Sequence, residues 1–245
     1  MLYDGLLILT AVCVLLVCPK SDHCPGRGRP MAEMLTPLKH VRVWRLSLYY
    51  LVVFGAYVAL SAWLPNYYRN TFGVDLRTAA LLTALHVLQA SLLRPLGGYL
   101  SDLYRPRVVT YAVFIAMTVV LVPLWQPTSV LDLGLVGFTA LMLVVGVGTR
   151  IGKASVFKYV PNYNPRDVGA TGGLVGALGA QGGCFLPSVF GMVGRSTGSP
   201  QSAFVALLAL TVGALVWLHL VVLSHKRTAA RLTTEPDLAT AGVGS

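Results

Sequence analysis

A single arginine stands well inside an apolar stretch near the middle of the chain. Arg94 lies within Ala79–Leu100 and is followed by Pro95, a glycine pair and then Asp102. In a membrane helix, Arg94 would lie roughly 12 Å deeper than Asp102, because each residue adds about 1.5 Å. A charge at that depth costs about a few kcal/mol, so it usually faces the protein interior and pairs there. We expect Arg94 to be a functional arginine that faces the protein interior, although snorkelling to the headgroups is the alternative.

Aromatic residues recur at helical spacing in an earlier apolar segment. Tyr50, Phe54 and Tyr57 follow one another at i, i+4 and i+7, which places them on one face of a helix. Such a stripe either lines a binding site or packs in a core.

Glycines form a second helical stripe near the carboxyl end. Gly172, Gly176, Gly179 and Gly183 recur at i, i+4, i+7 and i+11, again one face of a helix. A face without side chains lets another helix approach closely. It serves helix packing alone, or it also leaves clearance for a small flat anion.

The composition indicates the environment of these elements. Hydrophobic residues make up 55% of the 245 and charged residues only 11%, with a mean hydropathy of +0.69. Soluble domains carry roughly 25% charged residues, so the chain is expected to be a membrane protein. The net charge of +10 then reflects cations that anchor loops at an anionic membrane surface rather than nucleic-acid binding.

Seven apolar segments can be distinguished, and six reach the roughly 17–25 residues of a membrane span. The segments are Gly5–Cys18, Leu46–Leu64, Ala79–Leu100, Val108–Trp125, Leu131–Thr149, Val168–Val193 and Ala203–Leu223. The first is short, and Asp4 stands where a signal peptide would carry positive charge. It is expected to be the end of a membrane helix whose beginning is missing.

The basic residues alternate between the two sides of these spans. Fifteen of the 19 lysines and arginines fall at connections on one side: Lys20, Arg27, Arg29, Lys39, Arg42, Arg45, Arg105, Arg107, Arg150, Lys153, Lys158, Arg166, Lys226, Arg227 and Arg231. The positive-inside rule makes that side cytoplasmic, so the chain starts outside and ends inside. The expected divisions are a helix end (1–18), a cytoplasmic linker (19–43), a six-helix bundle (44–225) and a flexible cytoplasmic tail (226–245).

No catalytic, metal or cofactor site is predicted. Cys18, His23 and Cys24 are three possible zinc ligands at an unusual spacing, and free thiols in a reducing compartment are favoured instead. Neither a GxSxG motif with a histidine partner nor HExxH is present, so the chain is not expected to be an enzyme. His86 and His219 lie in spans, where a neighbouring helix is expected to satisfy them.

Two sets of motifs carry a family resemblance. GYLSD (98–102), with Gly98 and Asp102, resembles the cytoplasmic loop motif of the major facilitator superfamily, although Leu103 stands where a basic residue is usual. The glycine would allow close helix approach, and the aspartate would cap the next helix or pair with loop arginines. RIGKASVFKYVP (150–161) and GGCFLP (182–187) resemble the tenth- and eleventh-helix signatures of nitrate/nitrite porters in that superfamily.

The resemblance implies an all-α membrane bundle of the major facilitator type, comprising a six-helix carboxyl-terminal half and the end of a preceding helix. It implies that Arg94 is the helix-eight arginine that holds the anion. Tyr50 and Phe54 would line the site from helix seven, and Gly152 and Ser155 would contribute from helix ten. The motif residues with conformational roles would be Gly98, Asp102, Gly172, Gly176, Gly179, Gly183 and Lys153.

The chain also departs from the family pattern. Arg150 replaces the opening glycine of the tenth-helix signature, and Lys153 adds a charge that could sense the anion or a proton. The helix-two arginine of the missing amino-terminal half is not in this chain. The expected function is transport of nitrate or nitrite, with protons as a further candidate partner, by a fragment of a twelve-helix transporter in the cytoplasmic membrane. The alternatives are another facilitator of small solutes and a non-transporting assembly fragment.

Overall fold

The computed structural model describes residues 2–17, 30–126, 130–131, 133–163, 165 and 167–241. The described residues form helices and turns and contain no strand, which confirms the all-α fold. The chain divides into two compact units, Met1–Thr36 and Pro37–Ser245. The smaller unit contains helix α1 (Leu2–Val17) and the single turn α2 (Met31–Met34). Cys18, His23 and Cys24 lie outside the described residues.

The larger unit holds the predicted bundle. Its helices are α3 (Val41–Tyr50), a π-helical segment (Leu51–Gly55), α4 (Ala56–Phe72), α5 (Leu76–Leu92), α6 (Arg94–Leu103), α7 (Pro106–Trp125), α8 (Gly134–Phe157), α9 (Tyr159–Tyr163), α10 (Val168–Ala180), α11 (Gly182–Thr197) and α12 (Ala203–Ala241). Short 3₁₀ helices at Thr36–Lys39 and Pro200–Ser202 precede α3 and α12.

Five stretches of the described chain are long and apolar enough to cross a membrane, which supports a multi-pass membrane protein. They are Val41–Phe72, Pro106–Trp125, Gly134–Tyr163, Val168–Thr197 and Pro200–Ser224. The predicted span Ala79–Leu100 is not in this set; the structure divides it between α5 and α6 at Leu93.

Local sequence sets the turn between α4 and α5. Gly73 ends α4 with φ +66°, a left-handed conformation that glycine adopts without a Cβ penalty. Asp75 then caps α5, its carboxylate accepting hydrogen bonds from the backbone N–H groups of Arg77 and Thr78 at 3.1 and 3.4 Å. Hydrogen bonding to Thr78 holds the pKa of this carboxyl below its ordinary value, which indicates a favourable cap.

Aromatic side chains close one end of the bundle. The Tyr67 ring stacks on Phe138 at 4.8 Å between centroids and meets Phe204 edge-on at 5.7 Å. Trp63 adds edge contacts to Phe190 and Phe204. These rings belong to α4, α8, α11 and α12 and hold the four helices together. Offset and edge-to-face ring pairs of this kind are favourable in a packed core. The aromatic cluster therefore fixes the end of the bundle opposite Asp102.

Two predicted boundaries differ from the structure. The tail expected to be flexible from 226 continues as helix α12 to Ala241, since it contains alanine, arginine and leucine, which favour helix. Helix α8 extends to Phe157 instead of ending at Thr149. Arg150 and Lys153 therefore lie inside a membrane-length helix and not in the cytoplasmic connection.

Candidate functional site

The interruption between α5 and α6 falls immediately before Arg94. Leu93 has φ −87° and ψ −1°, and Pro95 lies in the first turn of α6, where its missing N–H does no harm. This irregular turn therefore immediately precedes the residue that the family resemblance assigns to anion binding. The Arg94 side chain lies outside the described part of the structure, so its role as a ligand stays a prediction.

The predicted aromatic stripe flanks a π-helical segment. Tyr50 ends α3, Phe54 lies within the segment Leu51–Gly55, and Tyr57 follows in α4. The Tyr50 ring lies 5.1 Å from Phe54 and 4.9 Å from Phe157 between centroids. Single π-helical turns inside α-helices occur frequently at functional sites. The stripe therefore coincides with an irregular turn in the middle of a span.

Two cations of α8 lie against this aromatic stripe. The Arg150 guanidinium carbon is 3.3 Å from the centroid of the Tyr57 ring, and Arg150 is only 7% exposed. Lys153 Nζ lies 3.7 Å from the Phe54 centroid and 5.8 Å from that of Tyr50. Cations over aromatic faces are stabilised by the ring quadrupole, and more strongly where water is excluded. We call Tyr50, Phe54, Tyr57, Arg150 and Lys153 the cation–aromatic cluster.

The cluster lies near the middle of its spans. Tyr57 is close to the midpoint of Val41–Phe72, and Arg150 is close to the midpoint of Gly134–Tyr163. Charged side chains at such depth are costly and mark solute or ion pathways. Transporters commonly hold their substrates near the bilayer midplane. Position and chemistry together make the cluster the candidate binding site.

Side chains of α5 attach that helix to the backbone of α8. His86 Nδ1 lies 3.0 Å from the Met142 carbonyl oxygen, and Gln89 Nε2 donates to the Leu143 carbonyl at 2.6 Å. Gly146 provides the space, because a Cβ there would collide with Gln89 Nε2 and lie 3.0 Å from His86 Nδ1. The sequence predicted that a neighbouring helix satisfies His86, and at Nδ1 the structure agrees.

Two other predicted ligands occupy a different face of α8. A Cβ on Gly152 would meet Val53 and Val113 at 2.6 and 3.0 Å. Ser155, with no exposed surface, donates to the Pro106 carbonyl at 2.7 Å and contacts the Thr110 hydroxyl at 2.7 Å. Residues 152 and 155 lie about 200° around the helix from 150 and 153. The structure therefore places Gly152 and Ser155 in helix packing, and anion binding by them stays a prediction.

Only part of the predicted glycine stripe forms close contacts. Cβ atoms on Gly172 and Gly176 would meet the nearest side chains at 3.7 and 3.8 Å, an ordinary separation. At Gly179, a Cβ would lie 2.5 Å from Tyr50 Cδ1 and 3.0 Å from the Leu51 backbone nitrogen, and at Gly183 it would lie 2.7 Å from Val58. The close contact is therefore confined to the second half of the stripe, beside the cation–aromatic cluster.

Gly55, which is not part of the predicted stripe, also takes part in this close helix contact. A Cβ on Gly55 would lie 2.7 Å from the Gly179 carbonyl oxygen and 2.9 Å from Gly182 Cα. Backbone thus meets backbone where the π-helical segment crosses the junction of α10 and α11. We call Gly55, Gly179 and Gly182 the glycine crossing. Sequence periodicity did not reveal Gly55, because it is an isolated glycine in its own helix.

The loop motif GYLSD lies in the second half of α6 and has partners other than those predicted. Asp102 forms an ion pair with Lys158 at the end of α8, rather than capping α7 or pairing with loop arginines. Lys158 Nζ also donates to the Gly98 carbonyl at 2.8 Å. The glycine that permits close helix approach is Gly97, since its Cβ would lie 2.7 Å from Ile151 Cα, whereas Gly98 faces open space.

The two partners of this ion pair are expected to differ in their contribution to stability. Asp102→Asn should cost only about 0–1 kcal/mol, because the Asp102 side chain is 76% exposed and exposed ion pairs contribute little. Lys158→Gln should lower the thermal unfolding temperature further, because it also weakens the bond to the Gly98 carbonyl. Thermal unfolding of both purified variants in detergent measures the difference. An equal loss in the two would show that the bond to Gly98 contributes nothing.

Comparison with known proteins identifies similar sequences. The family model described as Major Facilitator Superfamily matches residues 5–139 and 46–241. A probable nitrate/nitrite antiporter, NarK1, of Thermus thermophilus is 49% identical over 91% of this chain and 53% of its own length. A nitrite extrusion protein of Bacillus subtilis (strain 168) is 36% identical over 72% of this chain and 44% of its own length. A probable nitrate transporter, NarT, of Staphylococcus haemolyticus is 32% identical over 86% and 54%.

These similarities confirm the resemblance to nitrate/nitrite porters that the motifs predicted. The chain spans about half the length of the curated relatives it matches. The crystal structure of a major facilitator transporter, FucP, in the outward conformation superimposes with a TM-score of 0.67, covering 88% of this chain and 52% of FucP. At 18% identity, that likeness shows the fold alone.

Proposed function

This chain belongs to the major facilitator superfamily, and from that premise we propose that it binds nitrate or nitrite and takes part in moving the anion across the cytoplasmic membrane. The observation that carries the proposal is the cation–aromatic cluster at the middle of the spans. It holds Arg150 against Tyr57 and Lys153 against Phe54. The names of the relatives supply the substrate class.

The chemistry of the cluster suits a small, planar, weakly hydrated monoanion. A guanidinium offers a flat, permanently charged fork of donors, and an ammonium supplies a compact charge with three donors. Aromatic walls limit the water around these groups, which strengthens their attraction for an anion. We assign Lys153 and Arg94 as the cations that face the anion, with Tyr50 and Phe54 as the walls. Gly152 and Ser155 would join only in another conformation.

Transport is proposed to require a second six-helix half. In transporters of this superfamily, two halves related by symmetry rock about a central site. The glycine crossing lies at the level of the cluster, since Gly182 is close to the midpoint of Val168–Thr197 and Gly55 close to that of Val41–Phe72. Rocking at this crossing would alter the walls of the site. We place the chain start outside and the chain end in the cytoplasm.

Lys153 is the most direct test of this proposal, because its ammonium position is described. In the full chain reconstituted in lipid nanodiscs, Lys153→Gln should weaken nitrate binding by about 10-fold or more, since a hydrogen bond to a charged group contributes roughly 1.5–3 kcal/mol. Lys153→Arg should retain most of the affinity, because it keeps the charge. Isothermal titration with nitrate, and with sulfate as a competing anion, measures both variants.

The same titration decides whether the site is an anion site at all. Nitrate binding to the Lys153→Gln variant with wild-type affinity would remove Lys153 from the site. A wild-type chain that binds no nitrate would contradict the proposed function. A monodisperse elution profile and an unchanged helical circular dichroism spectrum serve as controls for folding of each variant.

A further inference from the structure

One imidazole nitrogen inside the bundle is basic, buried and not used by the site as described above. His86 is 1% exposed, and its Nδ1 lies 3.0 Å from the Met142 carbonyl oxygen. A carbonyl only accepts, so Nδ1 must carry a hydrogen in that contact. The lone pair of the neutral ring is therefore on Nε2, which is buried without a hydrogen-bond partner among the described residues. Nε2 is the atom of this ring that can take up a proton.

Permanent charge lies close to this nitrogen. The His86 ring stacks on Tyr57 at 5.7 Å between centroids, and the Arg150 guanidinium carbon lies 3.3 Å from the same Tyr57 centroid. The imidazole and the guanidinium are therefore within about 9 Å of each other, where two charges interact appreciably if little water intervenes.

The groups facing His86 can be named for each element packed against it. Helix α4 contributes Tyr57, and α8 contributes Arg150 on the other side of the Tyr57 ring. Within α5 the nearest polar neighbour is the uncharged Gln89. Among these described groups the permanent charge, that of Arg150, is positive.

Positive surroundings make the charge state of His86 depend on the anion. With the site empty, a proton on Nε2 would add a cation to a region that already holds Arg150 and Lys153, which is electrostatically unfavourable. An anion bound beside Lys153 in the cation–aromatic cluster offsets part of this charge, so a proton on Nε2 becomes more favourable. By thermodynamic linkage, the factor by which the anion raises the affinity for the proton equals the factor by which the proton raises the affinity for the anion.

We propose that His86 Nε2 is a proton-binding site coupled to the anion site, so that one proton enters the bundle with each anion; this inference rests on the proposed function. The proton comes from the aqueous phase and converts the imidazole to imidazolium. One negative charge enters with it, so the net charge of the site does not change. His86 thereby acts through Arg150 and Lys153 as a coupling residue and does not itself contact the anion.

Proton uptake during anion binding tests this inference. The full chain in lipid nanodiscs is mixed with nitrate in weakly buffered solution at pH 7.5, and a pH-sensitive dye reports the protons consumed. The wild type should take up about one proton per bound nitrate, and its affinity should fall about tenfold per pH unit on the alkaline side. His86→Asn should take up none, and its affinity should no longer depend on pH in this range.

Asparagine is the matched replacement, because its amide N–H can donate to the Met142 carbonyl as Nδ1 does, while it has no basic nitrogen. Equal proton uptake in wild type and variant, or none in the wild type, would overturn the inference and leave the nitrate site in place. A wild type that binds no nitrate would instead overturn the proposed function, and this inference with it.

A second measurement covers the case in which the asparagine variant does not fold. The chain contains five histidines, and replacement of His23, His40, His219 and His225 by glutamine leaves His86 as its one imidazole. In the ¹⁵N-histidine NMR spectrum of that chain, the Nε2 signal should move from the unprotonated to the protonated position on addition of nitrate. A signal that stays in place would overturn the inference.

Discussion

Replacing Arg94 by alanine is expected to abolish nitrate binding by the full chain, with a loss of roughly 100-fold or more. The arginine stands at the break between α5 and α6, in a segment otherwise apolar enough to lie in a membrane. Removing one partner of a buried, hydrogen-bonded charge pair costs about 2–5 kcal/mol, and each 1.4 kcal/mol is about tenfold in affinity. Titration with nitrate in nanodiscs, alongside nitrate uptake by cells that co-express a complementary amino-terminal half, measures the loss.

Arg94→Lys is the matched control for charge. It keeps one positive charge but loses the planar fork that pairs with two oxygens of a flat anion. We therefore expect binding by Arg94→Lys to lie between the wild type and Arg94→Ala. Membrane insertion should not be impaired in either variant, because Arg94→Ala removes a charge from the span and Arg94→Lys leaves the charge unchanged. Uptake near the wild-type rate in Arg94→Ala, at matched expression, would show that this arginine points towards headgroups and not towards the anion.

The second large effect is expected at Gly179, where a single methyl group should disrupt the bundle. In Gly179→Ala, the new Cβ would lie 2.5 and 2.8 Å from Tyr50 Cδ1 and Cβ and 3.0 Å from the Leu51 backbone nitrogen. Neither the backbone nor the first side-chain atom of Tyr50 can move without shifting α3 against α10. Overpacking of this kind costs about 1–3 kcal/mol, and here it also displaces Tyr50 from the cation–aromatic cluster.

Gly176→Ala provides the comparison within the same helix. Its Cβ would meet only Phe157 Cζ, at 3.8 Å, and alanine favours helix over glycine by about 1 kcal/mol. Thermal unfolding in detergent should therefore show a lower transition for Gly179→Ala and an unchanged or higher one for Gly176→Ala, with nitrate affinity reduced only in the former. Equal behaviour of the two variants would mean that the α3–α10 contact is loose in the membrane.

The different contacts of Gly176 and Gly179 show which features of the structure the spacing of residues can predict and which it cannot. The spacing of Gly172, Gly176, Gly179 and Gly183 predicts that they share a face, because 3.6 residues per turn fix their angular positions. Which part of that face meets another helix depends on where α3 and the π-helical segment cross it. That crossing also depends on Gly55, which lies about 120 residues earlier and has no periodic partner.

Arg150 lies in a different place in the structure from the one that the sequence indicated. In the sequence it was a departure from a family signature and a marker of the cytoplasmic side, because a charge at the end of an apolar run normally signals the membrane surface. The structure places it near the middle of the span Gly134–Tyr163, stacked on Tyr57. A hydropathy profile cannot distinguish a charge that ends a span from one that an aromatic ring on another helix shields.

The sequence by itself determined the helical membrane class, the approximate spans and the family resemblance, because hydropathy, basic residues and motifs are properties of a contiguous stretch. It also selected Tyr50 and Phe54 before any contact was known. Only the tertiary structure decided that Arg150 and Lys153 lie in one cation–aromatic cluster with them, that Gly152 and Ser155 face another helix, and that Asp102 pairs with Lys158. The reason is physical: the rotation and crossing point of each helix are set by the side chains of its neighbours, which lie far away in the chain.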